Sequence, residues 1–279
     1  MSFPLSLIDF LKSPLQKLHE VSHPPIVFCD FDGPIVDVSE RYYRTYQLGL
    51  STLKATYQAQ HNRELLTAPL SKQQFWWMKQ NRVADREIAA RSGLAEDVID
   101  TFLQQVSRLV NHPHLLRWDR LQPDADEAIA QIKRCGARLV MVTLRHPRQV
   151  QSFLQAHDLS QHIDQIFGAA DIQAAHLNRV EQKVDLLKSA IASQQAQGFS
   201  TKQTWMIGDT EADVIAGQTA EIQTVALTCG VRSQSYLERL NPNEVHPTLL
   251  SAIQRILIDG LLQQFNPSPE AGYIFPTSA

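Results

Sequence analysis

Residues 28–37 read FCDFDGPIVD and set three carboxylates, Asp30, Asp32 and Asp37, around a glycine directly after an apolar run. A second acidic stretch, GDTEAD at 208–213, places Asp209 and Asp213 four apart after another apolar run. Carboxylates that converge in one crevice repel each other, and burying one unpaired costs several kcal/mol. A divalent cation relieves that repulsion. All-oxygen ligation by carboxylates and carbonyls suits Mg²⁺, which keeps some waters and completes its shell with substrate phosphate. These residue types therefore point to a metal-bound phosphate, with Asp30 able to attack phosphorus and Asp32 to handle protons. Two carboxylates two apart on a strand would face opposite ways, but Asp-Gly-Pro breaks the strand and lets Asp32 turn back toward Asp30. A helix starting within GDTEAD would turn Asp209 and Asp213 to one site.

Such a site needs elements that end together. Short Val-, Ile- and Phe-rich runs at 26–30, 138–143, 164–169, 203–209 and 223–228 read as strands buried on both faces. Helical spacing fills the gaps between them. Ala125, Ala128, Ile129 and Ile132 form one apolar face that Gly136 ends, and Val150, Phe153, Leu154 and His157 follow Pro147 as a first-turn proline. Leu186, Leu187, Ala190 and Ile191 follow Lys183. Alternating strands and helices imply an α/β fold, a doubly wound parallel sheet with right-handed crossovers and the first strand central. Ligands of such sheets bind beyond the carboxyl ends of the strands, where Asp30, Asp32, Thr143, Asp209 and Asp213 all fall.

The interval from 39 to 118 is too long for a crossover and reads as helix throughout, in the stretches 39–60, 71–92 and 96–110. The expected organisation is an N-terminal helical extension (1–24), a core (25–38 and 119–258), an inserted all-helical cap domain (39–118) and a C-terminal tail (259–279). Linkers should lie near 38–40 and 117–120. Phe75, Trp76, Trp77 and Met78 at helical spacing read as bundle core. Asp37 reads as a cap or hinge residue rather than a metal ligand.

The bulk properties narrow the partners. The 279 residues carry 26 basic and 29 acidic side chains, a net charge of −3, which gives no general surface for nucleic acid. Three scattered cysteines, Cys29, Cys135 and Cys229, read as packing residues of a reducing compartment. No apolar run approaches the ~20 residues of a membrane span, and Asp9 interrupts the first apolar stretch, which argues against a secretory leader. A cytoplasmic protein with a small phosphorylated metabolite as partner is expected, without membrane or nucleic acid. Nothing in the pattern specifies an oligomeric state.

Taken in order, DFDG (30–33), the strand ending in Thr143, Lys183 opening a helix, and GDTEAD (208–213) resemble the four motifs of the haloacid dehalogenase superfamily. The likeness is to its phosphatases with a helical cap inserted after the first strand, such as phosphoglycolate phosphatases and β-phosphoglucomutase. The resemblance implies a Rossmann-like core and Mg²⁺-dependent hydrolysis of a small phosphate monoester. Asp30 would be the nucleophile that forms an aspartyl-phosphate, and Asp32 the acid and base. Mg²⁺ would be held by the side chains of Asp30 and Asp209 and the backbone carbonyl of Asp32, with Asp213 ligating or beside them. Thr143 and Lys183 would bind the phosphoryl oxygens; Lys188 and Lys202 are Lys183's rivals in sequence. Arg145, after the second strand, would contact substrate, or else be a solvated surface charge. Pro34 departs from the family's Thr or Ser and removes a hydroxyl and an N–H from the turn. A sugar phosphomutase sharing every core residue, and a catalytically degraded phosphate sensor, are the alternative readings.

Overall fold

The computed structural model describes residues 24–256. The readings for the C-terminal tail, and for the N-terminal extension up to residue 23, lie outside the described residues. Six strands form one parallel sheet in the order β5-β4-β1-β6-β7-β8. They are β1 (Ile26–Cys29), β4 (Arg138–Thr143), β5 (Gln165–Gly168), β6 (Thr204–Gly208), β7 (Gln223–Leu227) and β8 (Glu244–His246). The chain runs from β1 outward through β4 and β5, then returns across β1 to build β6, β7 and β8. That reversal places β1 inside the sheet and creates a crevice at its carboxyl end.

Alternation along β1 explains why both of its faces are apolar. Val27 and Cys29 enter a cluster with Ile129, Ile132, Val150 and Leu154, from the helices Ala125–Arg134 and Pro147–Ala156. Ile26 and Phe28 enter the opposite cluster with Leu187, Ala190 and Ala216, from the helices Val180–Ala196 and Glu211–Thr219. The sheet is thus covered by helices on both sides, as a doubly wound α/β fold requires.

The strand readings need three corrections. β5 is only half-buried along its whole length, because it is the sheet edge rather than an interior strand. The far edge, β8, has polar ends in a three-residue strand and gives no apolar run. A two-stranded antiparallel ribbon, β2 (Val36–Asp37) with β3 (Arg120–Leu121), is too short to carry any periodic signal. This ribbon pairs the two chain segments that lead into and out of the helical interval.

That interval contains the helices Ser39–His61, Lys72–Gln80, Asp85–Arg91, Glu96–Leu109 and Pro113–Leu116. The stretch 71–92, read as one helix, is two: Arg82 takes a φ of 58°, and the Val83 N–H bonds back to the Met78 carbonyl at 2.9 Å. Tyr46, Leu50, Phe75, Met78, Ile99 and Phe102 form the cluster that binds these helices together. Phe75 and Met78, three apart, face it as expected. Trp77 does not: it is 57% exposed, while Trp76 turns to the other side and meets the ring of Tyr42 edge-on. Among the described residues, no helix is long and apolar enough to cross a membrane.

Truncating Phe28, which is fully buried on the central strand, removes contacts on the Leu187 side of the sheet. Phe28→Ala is expected to cost about 3–5 kcal/mol. Denaturant titration should show a lower midpoint with an unchanged slope, since no additional surface is exposed on unfolding.

Candidate active site

The register of the sheet delivers the acidic residues to one place. Cys29 of β1 lies opposite Met141 of β4 and Ile207 of β6. The residues that end or follow these strands therefore emerge side by side: Asp30 from β1, Thr143 at the end of β4, and Asp209 from β6. Asp30 remains tied to β6 through its N–H, which donates to the Ile207 carbonyl at 2.8 Å. Asp30, Asp209 and Asp213 bring one oxygen each within 4.8 Å of one another, and all three residues are buried.

One cation sits among them. The helix Val180–Ala196 turns Lys183, Leu187, Ala190 and Gln194 inward, and Lys183 in its first turns is close enough to the strand ends to reach them. Its Nζ lies 2.9 Å from Asp30 Oδ1 and 2.7 Å from Asp213 Oδ1, and donates to the Val142 carbonyl at 3.0 Å. Lys188 and Lys202 are exposed, so Lys183 alone of the three candidates enters the site. Burial works against its charge, yet Asp213 and Asp30 hold its pKa above the ordinary lysine value.

A single lysine does not neutralise three carboxylates. Burial pushes the Asp30 pKa up to about 7, with Lys183 opposing and Asp213 adding to the rise. Burial raises Asp209 as well, reinforced by Asp213 and Asp30. Asp209 Oδ2 accepts from the Val231 N–H at 2.5 Å, while its Oδ1 is buried without a hydrogen-bond partner. An orphaned carboxylate oxygen among converging carboxylates is a site suited to a hard divalent cation.

Two glycines leave room for the Asp209 carboxylate. A Cβ on Gly33 would fall 2.1 Å from Asp209 Cγ, and one on Gly230 would fall 2.0 Å from Asp209 Oδ2. Gly33 also takes a φ of 95°, which bulkier residues rarely adopt. Asp213 is fixed differently, its Oδ2 accepting from the Thr210 N–H at 3.0 Å and the Thr210 hydroxyl at 2.8 Å.

Pro34 does not prevent the turn. Its three closing bonds come from the N–H groups of Gly33, Ile35 and Val36, at 2.9, 3.1 and 3.1 Å, and none is needed from residue 34. Asp37 accepts from the Ser39 N–H at 2.8 Å, satisfying the start of the first helix of the interval. Thr143 is buried beside the cavity, and its hydroxyl accepts from the Arg145 N–H at 3.2 Å.

Asp32 stands apart from the other carboxylates. Its side chain is held by arginines, with Oδ2 3.0 Å from Arg41 Nη2 and Oδ1 2.7 Å from Arg145 Nη2. Arg145 is only 2% exposed, which overturns the reading of a solvated surface charge. Sequence reasoning missed Arg41, although it lies in the first turn after a linker, and missed Asp119 at the second linker. Both belong to the same buried charge group. It also missed Glu211 and Arg232, a buried pair at 2.6 Å that Arg82 of the helical interval joins through Glu211 at 2.9 Å.

The cavity at the carboxyl ends is lined by Asp30, Asp32 and Thr143 on the sheet side and by Tyr42, Lys79 and Arg82 from the helices above. Residues 26–227 match the family model for haloacid dehalogenase-like hydrolases. The chain belongs to that family.

Pyrophosphatase PpaX of Bacillus cereus (strain B4264) is 24% identical to this hydrolase over 225 residues, covering 78% of this chain and 89% of that protein. Among solved structures, a predicted phosphatase from Clostridium acetobutylicum superposes with a TM-score of 0.60 at 16% identity, covering 85% of this chain and 100% of its own. A predicted phosphoglycolate phosphatase from Haemophilus somnus 129PT gives 0.57 at 18%, covering 84% and 98%. At those identities the structures share the fold.

A carboxyl whose pKa is higher in the folded state favours folding while protonated, and this contribution is lost as pH rises through the interval between the two values. For Asp30 that interval runs from 3.8 to about 7. Metal-free protein should therefore lose thermal stability from this group as pH rises across it, and Asp30→Asn should flatten the slope. Because ligands bind metal deprotonated, any rise in Tm on adding a divalent cation should grow over the same interval. Gly230→Ala should displace Asp209 and weaken divalent-cation binding by roughly 10–100-fold, read by calorimetric titration with the far-UV spectrum unchanged.

Proposed function

We propose that this hydrolase removes the phosphoryl group from a small phosphorylated metabolite through an aspartyl-phosphate on Asp30. The observation that carries the reading is the Asp30 carboxylate itself. It faces the cavity beside Thr143, with Lys183 2.9 Å away and the Asp209–Asp213 carboxylates behind it. The phosphatase names of the relatives support the same chemistry.

In this reading Asp30 attacks phosphorus, its oxygen bonding to phosphorus as the ester oxygen leaves. Asp32 gives a proton to that oxygen and then takes one from the water that releases phosphate. Lys183 and the Thr143 hydroxyl hold phosphoryl oxygens as charge builds on them. Asp213 keeps Lys183 in place through their 2.7 Å contact. Arg145, with both guanidinium ends on carboxylates, acts on Asp32 rather than on substrate.

A Mg²⁺ ion would be held by the side chains of Asp30 and Asp209 and the backbone carbonyl of Asp32, with Asp213 beside them. When bound it would supply the positive charge that lets these carboxylates and a phosphate dianion share one crevice. We take the helices between Ser39 and Leu116 as a cap domain, hinged on the β2–β3 ribbon, that excludes bulk water from the reaction. Enclosure by these helices suits small substrates over phosphoproteins. All three cysteines are free, in keeping with a cytoplasmic setting.

Purified protein with Mg²⁺ should turn over an aryl phosphate and members of a panel of small phosphate esters, releasing inorganic phosphate. Asp30→Asn should lower kcat by at least about 10³-fold while the protein remains folded, since the nucleophile is gone. Turnover that survives in Asp30→Asn, or that proceeds unchanged with chelator present, would overturn the reading.

A further inference from the structure

Four charges form a closed ring where the chain passes twice between the sheet and the helices. Arg41, the third residue of the helix Ser39–His61, is fully buried. Its Nε lies 2.8 Å from Asp119 Oδ1 and its Nη2 3.0 Å from Asp32 Oδ2. Its Nη1 donates to Asn111 Oδ1 at 2.7 Å and to the Val110 carbonyl at 3.2 Å. Arg145, two residues beyond β4, places Nη1 2.6 Å from Asp119 Oδ2 and Nη2 2.7 Å from Asp32 Oδ1. Each carboxylate therefore touches both guanidiniums, and each guanidinium touches both carboxylates.

The members are not equivalent. The side chains of Arg41, Arg145 and Asp119 are at most 2% exposed, whereas Asp32 is 13% exposed and lines the cavity. A buried ion pair adds little net stability over apolar packing, because desolvation offsets most of its attraction. What such a ring does supply is geometry. The short Asp32 side chain rotates about two bonds. Guanidiniums approaching its two oxygens from different elements fix the rotation. The contact with Arg145 lies off the hydrogen-bond line, so that Asp32 Oδ1 is buried beside that guanidinium without an aligned donor.

We propose that Arg41, Arg145 and Asp119 are positioning residues for Asp32, holding its carboxylate toward the leaving-group side of the cavity. The proposal rests on the phosphatase reading above. Among the described residues the Asp119 carboxylate pairs with the two arginines, so it acts on Asp32 through them. Misplacing a catalytic group by about 1 Å costs on the order of 10²-fold in rate. Loss of a ring member should thus lower kcat and leave KM nearly unchanged.

The test is a double-mutant cycle on kcat, using an aryl phosphate whose good leaving group keeps the residual turnover of Asp32→Asn measurable. Arg41→Gln and Asp119→Asn are each expected to lower kcat by roughly 10–100-fold with KM within about twofold, and Arg41→Lys to recover part of the loss. In the Asp32→Asn background the same substitutions should cost less than about twofold, because there is no carboxylate left to position. Equal losses in both backgrounds would show that the ring acts on the fold and would overturn the proposal, as would a loss confined to KM. Should Arg41→Gln fail to fold, by circular dichroism and thermal midpoint, the near-isosteric Asp119→Asn and the charge-retaining Arg41→Lys decide the cycle. Wild-type protein inactive on every ester would remove the phosphatase reading, and this proposal with it; active wild type with additive variants would remove this proposal alone.

Discussion

Like charges crowded at the end of a parallel sheet are the constraint on which the rest of this structure depends. Asp30, Asp209 and Asp213 are brought within ligand distance of one another by strand register and a helix start, not by attraction. Left alone they would protonate or separate. Lys183 holds two of them from the far side, and glycine on both flanks lets Asp209 approach without collision. The remaining deficit of positive charge is what a cation, and a phosphate brought with it, would meet.

A second group of charges solves a different problem. At the waist between sheet and helices, Arg41 and Arg145 share Asp119 and Asp32, and of the four Asp32 alone lines the cavity. The first group sets one lysine against three carboxylates, whereas the second matches two carboxylates with two guanidiniums. That difference separates the two neighbouring aspartates: Asp30 faces the lysine and the other acids, and Asp32, two residues on, faces the guanidiniums. The turn at Gly33 and Pro34 makes this divergence sterically available over so short a span.

Much of this was legible in the sequence, for physical reasons that differ by element. The four inner strands announced themselves because strands covered on both faces must be apolar throughout. Asp30, Thr143 and Asp209 could be assigned to the site because they terminate those runs. Lys183 was separable from Lys188 and Lys202 by its place at a helix start. β2, β3 and β8 escaped because two or three residues carry no period. Trp77 was misplaced because four consecutive bulky residues cannot all face one side of a helix. The arginine ring was invisible for a more basic reason: Arg41 and Asp119 are 78 positions apart, and only the fold makes them neighbours.

The β2–β3 ribbon has a consequence for how the chain can change over time. Val36 pairs with Leu121 and Asp37 with Arg120, so the entry to and exit from the helical interval lie side by side. From the side of the sheet, everything between those residues has the ends of a simple hairpin. Segments whose ends are already adjacent can lengthen, shorten or be exchanged without straining the scaffold that bears them. Away from Arg41 and the side chains that line the cavity, these helices are thus free to diversify without moving the strand ends that carry the acidic cluster and its lysine.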